Sequence, residues 1–225
     1  MTEHRFQITV SARPISVITT LTADQAAIGH FIYAPGAGSN INDLFGRFLS
    51  DKLVTSGVSL TRFQFPYMEE GKRRPDSPRL LEETWDEVIR SIRDTTNTRI
   101  VVGGRSMGGR IASQAVAKGT VVDGLALFAY PLRPPSNPLI RRDEHLPIIK
   151  APTLLCSGTR DAFASPEELE EAASKVPRST VHHLEGADHG FGVLKSSGRT
   201  REDVWAEATD RFMAWLLDQV VLQQS

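Results

Sequence analysis

A serine, an aspartate and a histidine stand in this chain in the order and local surroundings that nucleophilic acyl transfer needs. Ser106 lies in Gly104-Arg105-Ser106-Met107-Gly108, Asp161 ends Ser157-Gly158-Thr159-Arg160-Asp161, and His189 lies in Gly186-Ala187-Asp188-His189-Gly190-Phe191. A serine hydroxyl is a poor nucleophile at neutral pH. It needs a base within hydrogen-bond reach and a third group that holds the base in the useful tautomer. The reading makes Ser106 the nucleophile, His189 the general base and Asp161 the acid that orients it. Asp188 is adjacent to His189, but neighbouring side chains on an extended segment point to opposite sides. Asp188 therefore reads as a turn residue bonding local backbone N–H groups.

The same chemistry needs two N–H donors aimed at the developing oxyanion. One is expected from Met107, the residue after the nucleophile, and the second from Ala37 in the turn Pro35-Gly36-Ala37-Gly38. Other chemistries find less support. Cys156 is the single cysteine and sits in the apolar run Thr153 to Cys156, where it reads as a small buried hydrophobe. The remaining histidines read as structural: His182 and His183 lie on or beside a strand, one facing the core and the other solvent, while His4, His30 and His145 sit away from any acid at useful spacing. No His, Cys, Asp and Glu cluster has metal-ligand spacing, and Gly103-Gly104-Arg105-Ser106 lacks the lysine of a phosphate-binding loop. No metal, nucleotide or other cofactor is expected.

These residues need a scaffold, and the chain supplies an alternation of short β-branched runs with longer amphipathic ones. That pattern specifies an α/β fold with a mostly parallel sheet and helices on its faces. Ile8 to Val10 and Ile15 to Leu21 read as two antiparallel edge strands joined at Pro14. Ile28 to Ala34 is a buried strand ending at the Pro35 to Gly38 turn, followed by a helix from Ile41 to about Thr55 capped by Ser39 or Asn40. Val58 to Phe63, Ile100 to Val102, Leu125 to Phe128, Thr153 to Cys156 and Thr180 to His183 are further strands. Helices are expected over Leu80 to Thr95, Ile111 to Lys118, from Pro166 onward, and from Arg201 to about Leu222. Ser106 thus falls on a strand-to-helix turn, where small residues two positions either side let the backbones pass. Asp161 and His189 follow later strands. Pro66 to Arg79 and Pro131 to Lys150 read as long loops, of the kind that carry function. Arg73, Arg74, Arg133, Arg141 and Arg142 lie in them and, if they line the mouth of the site, would hold a carboxylate or phosphate on the substrate.

The chain has 225 residues, 40% hydrophobic and 24% charged, with a net charge of -1. That size and balance fit one α/β domain spanning residues 1–225 and exclude disordered and disulfide-rich classes. Near-neutral charge gives no general attraction to nucleic acid or to anionic lipid. No apolar run reaches the roughly 20 residues that span a bilayer, and the N-terminus does not read as a signal peptide. A small-molecule acyl substrate, no nucleic-acid or membrane partner and a cytoplasmic location are the resulting expectations. A protein partner is not readable from these residues.

The run Gly103 to Arg110, Gly-Gly-Arg-Ser-Met-Gly-Gly-Arg, resembles small, nearly lidless α/β hydrolases related to dienelactone hydrolase. It is most similar to the group of Tex-type hydrolases and the hydrolase-like domain of a histone-acetyltransferase (NSL) complex subunit. The resemblance continues through Tyr130 to Pro135, Glu144 to Pro147, Gly158 to Asp161, Gly186 to His189 and Ser197 to Thr200. It implies an α/β-hydrolase fold with a minimal cap, and hydrolysis of esters or related acyl compounds. Pro35 stands where that group more often has histidine, a departure that bears on how the turn is braced. A thioesterase or peptidase with the same three residues, or a non-catalytic interaction module on this scaffold, are the competing readings.

Overall fold

The structure, a computed structural model, describes residues 2–23, 27–134, 137 and 139–222. Pro135 of the run Tyr130 to Pro135 lies outside them. Eight strands form one sheet: β1 (Thr2–Val10), β2 (Arg13–Leu21), β3 (Gly29–Ala34), β4 (Val58–Phe63), β5 (Ile100–Arg105), β6 (Gly124–Phe128), β7 (Thr153–Gly158) and β8 (Ser179–Leu184). Their order is β1-β2-β4-β3-β5-β6-β7-β8. β1 and β2 run antiparallel to each other and β2 antiparallel to β4, while all later pairs are parallel.

The helices are α1 (Leu44–Thr55), α2 (Pro66–Glu69), α3 (Pro78–Arg93), α4 (Met107–Ala117), α5 (Pro166–Ala173) and α6 (Arg201–Trp215), the last running on as a π-helical turn over Leu216–Val221. α3, α4 and α5 cover one face of the sheet, packing Trp85, Ile111 and Leu169 against Ile32, Val102 and Leu127. α1 and α6 cover the other, where Phe45 and Phe212 meet Phe31, Val101 and Phe128. Central strands buried on both faces explain the continuous apolar runs. None of the described helices is long and apolar enough to cross a membrane.

Several boundaries differ from the sequence reading, each for a local reason. The first hairpin turns at Ser11 and Ala12, whose φ values are 47° and 63°, and Pro14 lies within β2 opposite Thr9. A two-residue hairpin turn with positive φ at both positions favours glycine or asparagine, and without either there the turn was not visible. α1 is capped by Asp43, whose carboxylate accepts from Gly46 N at 2.9 Å, and not by Ser39 or Asn40. α3 starts two residues early, with Pro78 in its first turn and Ser77 as cap. α4 starts at Met107 and not Ile111, because Gly108 and Gly109 are helical. The stretch from Pro66 is not wholly loop, since Pro66–Glu69 makes one helical turn. Leu146–Ile148 likewise forms a 3-10 turn within the Pro131 to Lys150 connection.

The chain leaves β3 for β4 on one side and returns to β5 on the other. Open α/β sheets bind ligands at such a reversal, beyond the carboxyl ends of the strands. The Pro35 to Gly38 turn and Ser106 sit at those two strand ends.

Candidate active site

Ser106 occupies the turn between β5 and α4 with φ 52° and ψ -116°. A non-glycine residue held there costs on the order of 1–3 kcal/mol, which the surrounding structure must offset. It does so by close packing. A Cβ on Gly104 or on Gly108 would stand 2.1 or 2.2 Å from the Ala34 carbonyl oxygen, so only glycine at both positions lets β3 lie against the turn. The Ser106 N–H donates to Phe128 O at 2.8 Å, tying the turn to the end of β6.

The structure brings Ser106, His189 and Asp161 together. His189 Nε2 lies 2.9 Å from Ser106 Oγ, and His189 Nδ1 lies 2.8 and 3.0 Å from the two Asp161 oxygens. With Asp161 accepting from Nδ1–H, Nε2 is left to accept the serine proton. The Asp161 carboxylate is fully buried while the imidazole is 25% exposed, so the carboxylate is shielded and the ring keeps an open side. Phe163 N–H donates to Asp161 Oδ1 at 2.8 Å, and the Phe163 ring stands edge-on to the imidazole with centroids 4.5 Å apart.

Two loops hold Asp161 and His189, and they are stitched to each other. Arg160 N–H donates to Ala187 O at 2.9 Å, Thr159 N–H to Leu184 O at 3.1 Å, and Gly186 N–H to Thr159 Oγ1 at 2.8 Å. Asp188 closes the histidine turn from within, its Oδ1 accepting from Gly190 N at 2.8 Å and Gly192 N at 2.7 Å. Phe191 is fully buried against Phe45 and anchors the same loop.

Ala37 and Met107 face the cavity at Ser106, of about 190 Å³, together with Arg110, Arg142 and Phe163. The Ala37 N–H makes no hydrogen bond among the described residues, and Met107 opens α4, where first-turn N–H groups have no helical acceptor. Recesses of about 500 and 410 Å³ open at the opposite end of the sheet and one of about 230 Å³ lies beside α6; Ser106, Asp161 and His189 line none of them, so volume alone does not point to these residues.

Two groups that support these turns, Tyr67 and Asp43, were not foreseen. The Tyr67 hydroxyl donates to Ala37 O at 2.9 Å. Asp43, nearly buried, accepts from Tyr33 Oη at 2.6 Å, Ser39 Oγ at 3.1 Å and Arg105 Nη2 at 3.2 Å, linking the residue before the nucleophile to the start of α1. Burial and the Asp43 charge hold the Tyr33 hydroxyl well above its ordinary pKa, so it stays a donor. Arg110, which lines the cavity, entered the sequence reading only as the last residue of the Gly103 to Arg110 run.

Of the other histidines, His182 and His183 lie differently from expectation. His182 and His183 are both half-buried and lie 2.7 Å from Glu207 and 2.9 Å from Glu170, rather than one in the core and one in solvent. His30 is buried against Thr61 Oγ1 at 2.7 Å, and His145 Nε2 lies 2.7 Å from Ser113 Oγ. Cys156 is buried, and burial pushes its thiol far above the usual range. Among the described residues no group of three or more His, Cys, Asp or Glu could hold a metal ion.

Comparison with known proteins agrees with this architecture. Structures of an alpha-beta serine hydrolase homologue from Coxiella burnetii, a dienelactone hydrolase from Anabaena variabilis and a serine hydrolase without a lid from Xanthomonas campestris each superpose with TM-score 0.75. Identities are 19%, 21% and 16%; the alignments cover 94%, 95% and 96% of this chain and 98%, 97% and 95% of theirs. At that identity the likeness is one of fold. Residues 27–217 match the alpha/beta hydrolase domain family. A match over most of its length, on a fold of this topology, means that the chain belongs to the alpha/beta hydrolase domain family.

Proposed function

We propose that this hydrolase cleaves an ester or related acyl bond through Ser106, His189 and Asp161 by way of an acyl-enzyme. The observation that carries the reading is the continuous chain Ser106 Oγ, His189 Nε2, His189 Nδ1, Asp161, with contacts of 2.9 and 2.8 Å. Ser106 Oγ attacks the acyl carbon while His189 takes its proton, forming a tetrahedral oxyanion. The N–H groups of Ala37 and Met107 stabilise that charge, each contributing about 2.7–4 kcal/mol in enzymes where such a donor has been removed. Asp161 steadies the imidazolium, which returns the proton to the leaving group. Water, activated by the same imidazole, then attacks the acyl carbon and releases the acid and free Ser106. The half-exposed serine and the open cavity suit a substrate that enters without a covering domain to move aside.

Trapping the intermediate tests the proposal. Rapid acid quench during turnover of p-nitrophenyl acetate is expected to leave one acetyl group on the peptide containing Ser106. Acetylation elsewhere, or turnover with no acylated peptide at early times, would contradict it.

A further inference from the structure

Two arginines face the cavity beside Ser106, and neither forms an ion pair with an acid among the described residues. Arg110 stands one turn beyond the nucleophile on α4, its N–H bonded to the Ser106 carbonyl at 3.0 Å. Its side chain lines the same cavity as Ser106. Nη1 of Arg110 donates to Gln114 Oε1 at 3.1 Å, and Nε is buried without a partner among the described residues. Arg142 arrives on the connection between β6 and β7 with its backbone held on both sides. Its N–H donates to Leu132 O at 3.0 Å and its carbonyl accepts from the buried Tyr130 hydroxyl at 2.7 Å. The Arg142 guanidinium forms no hydrogen bond or ion pair among the described residues.

The nearby carboxylates are already engaged. Asp143 is bonded by Arg141 at 2.6 Å and Lys175 at 2.9 Å, Glu168 by Arg133, and Glu82 by Lys118. Successive residues on an extended chain point opposite ways. Arg141 accordingly turns outward to Asp143 and the acids of α5, and Arg142 inward to the cavity. Arg73 and Arg74 are exposed and do not line it. Of the five loop arginines considered from the sequence, only Arg142 reaches the site, and its counterpart there is Arg110 from the helix. Burial holds both guanidiniums below their ordinary pKa, and Arg110 is lowered further by the charge of Arg142. Both stay protonated at neutral pH, so the pair is unfavourable until an anion enters.

We propose that Arg110 and Arg142 form an anion subsite adjoining Ser106, so that the preferred substrate is an ester carrying a carboxylate or phosphate group near the scissile bond. The proposal rests on the serine-hydrolase reading above. Guanidinium forks match both oxyanions in geometry. The cavity of about 190 Å³ falls below the roughly 300 Å³ at which ordinary ligand pockets begin, which favours a short substrate.

The test follows acid release from monomethyl glutarate against methyl hexanoate, and from 2-acetoxyethyl phosphate against isopentyl acetate, with the full chain and with Arg110→Gln and Arg142→Gln. At least one anionic ester is expected to exceed its neutral partner in kcat/KM by about 10- to 100-fold. That ratio should fall toward one in both variants and, in the unaltered chain, with added salt. Preference for the glutarate assigns a carboxylate, and preference for the phosphate ester a phosphoryl group. Ratios near one for both pairs, in a protein that hydrolyses the neutral esters, overturn the subsite and leave the serine-hydrolase reading standing. Failure of every ester and of a fluorophosphonate to modify Ser106 overturns that reading and the subsite with it. Should the variants not fold, or turnover be too slow to compare, the fluorophosphonate labelling rate of Ser106 in the unaltered chain decides. Slowing by glutarate or inorganic phosphate, reversed by salt, is expected, and an unchanged rate contradicts the proposal.

Discussion

The hydroxyl of Tyr67 donates to the carbonyl oxygen of Ala37 at 2.9 Å, and so fixes the turn that lines the cavity at Ser106. The brace reaches Ala37 from thirty positions downstream in sequence, across two neighbouring strands of the sheet. Tyr67 is itself held, its N–H donating to Asp76 Oδ2 at 2.8 Å and its ring stacked on Phe65.

Tyr67→Phe is therefore expected to lower kcat by about 3- to 10-fold with little change in KM, the size of one lost neutral hydrogen bond acting on the oxyanion donor. Steady-state kinetics on a neutral ester measure this. An unchanged kcat, or a loss confined to KM, would mean that the turn keeps its shape without the hydroxyl.

The two carboxylates near His189 make opposite predictions. Asp161→Asn should lower kcat by roughly 10⁴ in a folded protein, as in triad enzymes where the wrong tautomer results. Asp188→Ala should cost about 2 kcal/mol of stability through the loss of two bonds to Gly190 and Gly192, with a much smaller effect on kcat. Thermal unfolding and kinetics on the two variants, read together, decide; the reverse order of activity loss would remove Asp161 from its role.

Much of this site was legible because its logic is local. Ser106 sits among glycines that the strand-to-helix turn requires, and Asp161 and His189 each follow a strand, so their order along the chain already placed them at one sheet edge. Asp188 was separable from Asp161 by side-chain alternation alone. What could not be read depends on distant pairing. Tyr67 lies in a segment whose proline and charge content resembles a loop, and its bond to Ala37 exists only once β4 lies beside β3. Asp43 carries no motif, yet it joins Tyr33, Ser39 and Arg105. The five loop arginines look alike in sequence; the ion pairs of Arg133 and Arg141 and the exposure of Arg73 and Arg74 distinguish those four from Arg142.

His30 gives the fold a pH dependence of its own. Burial lowers its pKa to about 4, whereas in the unfolded chain the imidazole takes up its proton near 6.5. Between those values the unfolded state binds more protons, so stability is complete above about pH 6.5 and falls as pH drops toward 4, by about 3 kcal/mol over the window. Melting temperatures measured across that range should decline less steeply in His30→Asn than in the unaltered chain. Parallel declines would show that His30 is not the group responsible.

Labelling with a fluorophosphonate followed by peptide mapping tests the central claim most directly. The expected result is a single modified peptide containing Ser106, absent in Ser106→Ala, with kcat in that variant reduced on the order of 10⁶-fold. Modification of a different serine, or near-normal turnover by Ser106→Ala, would contradict the account.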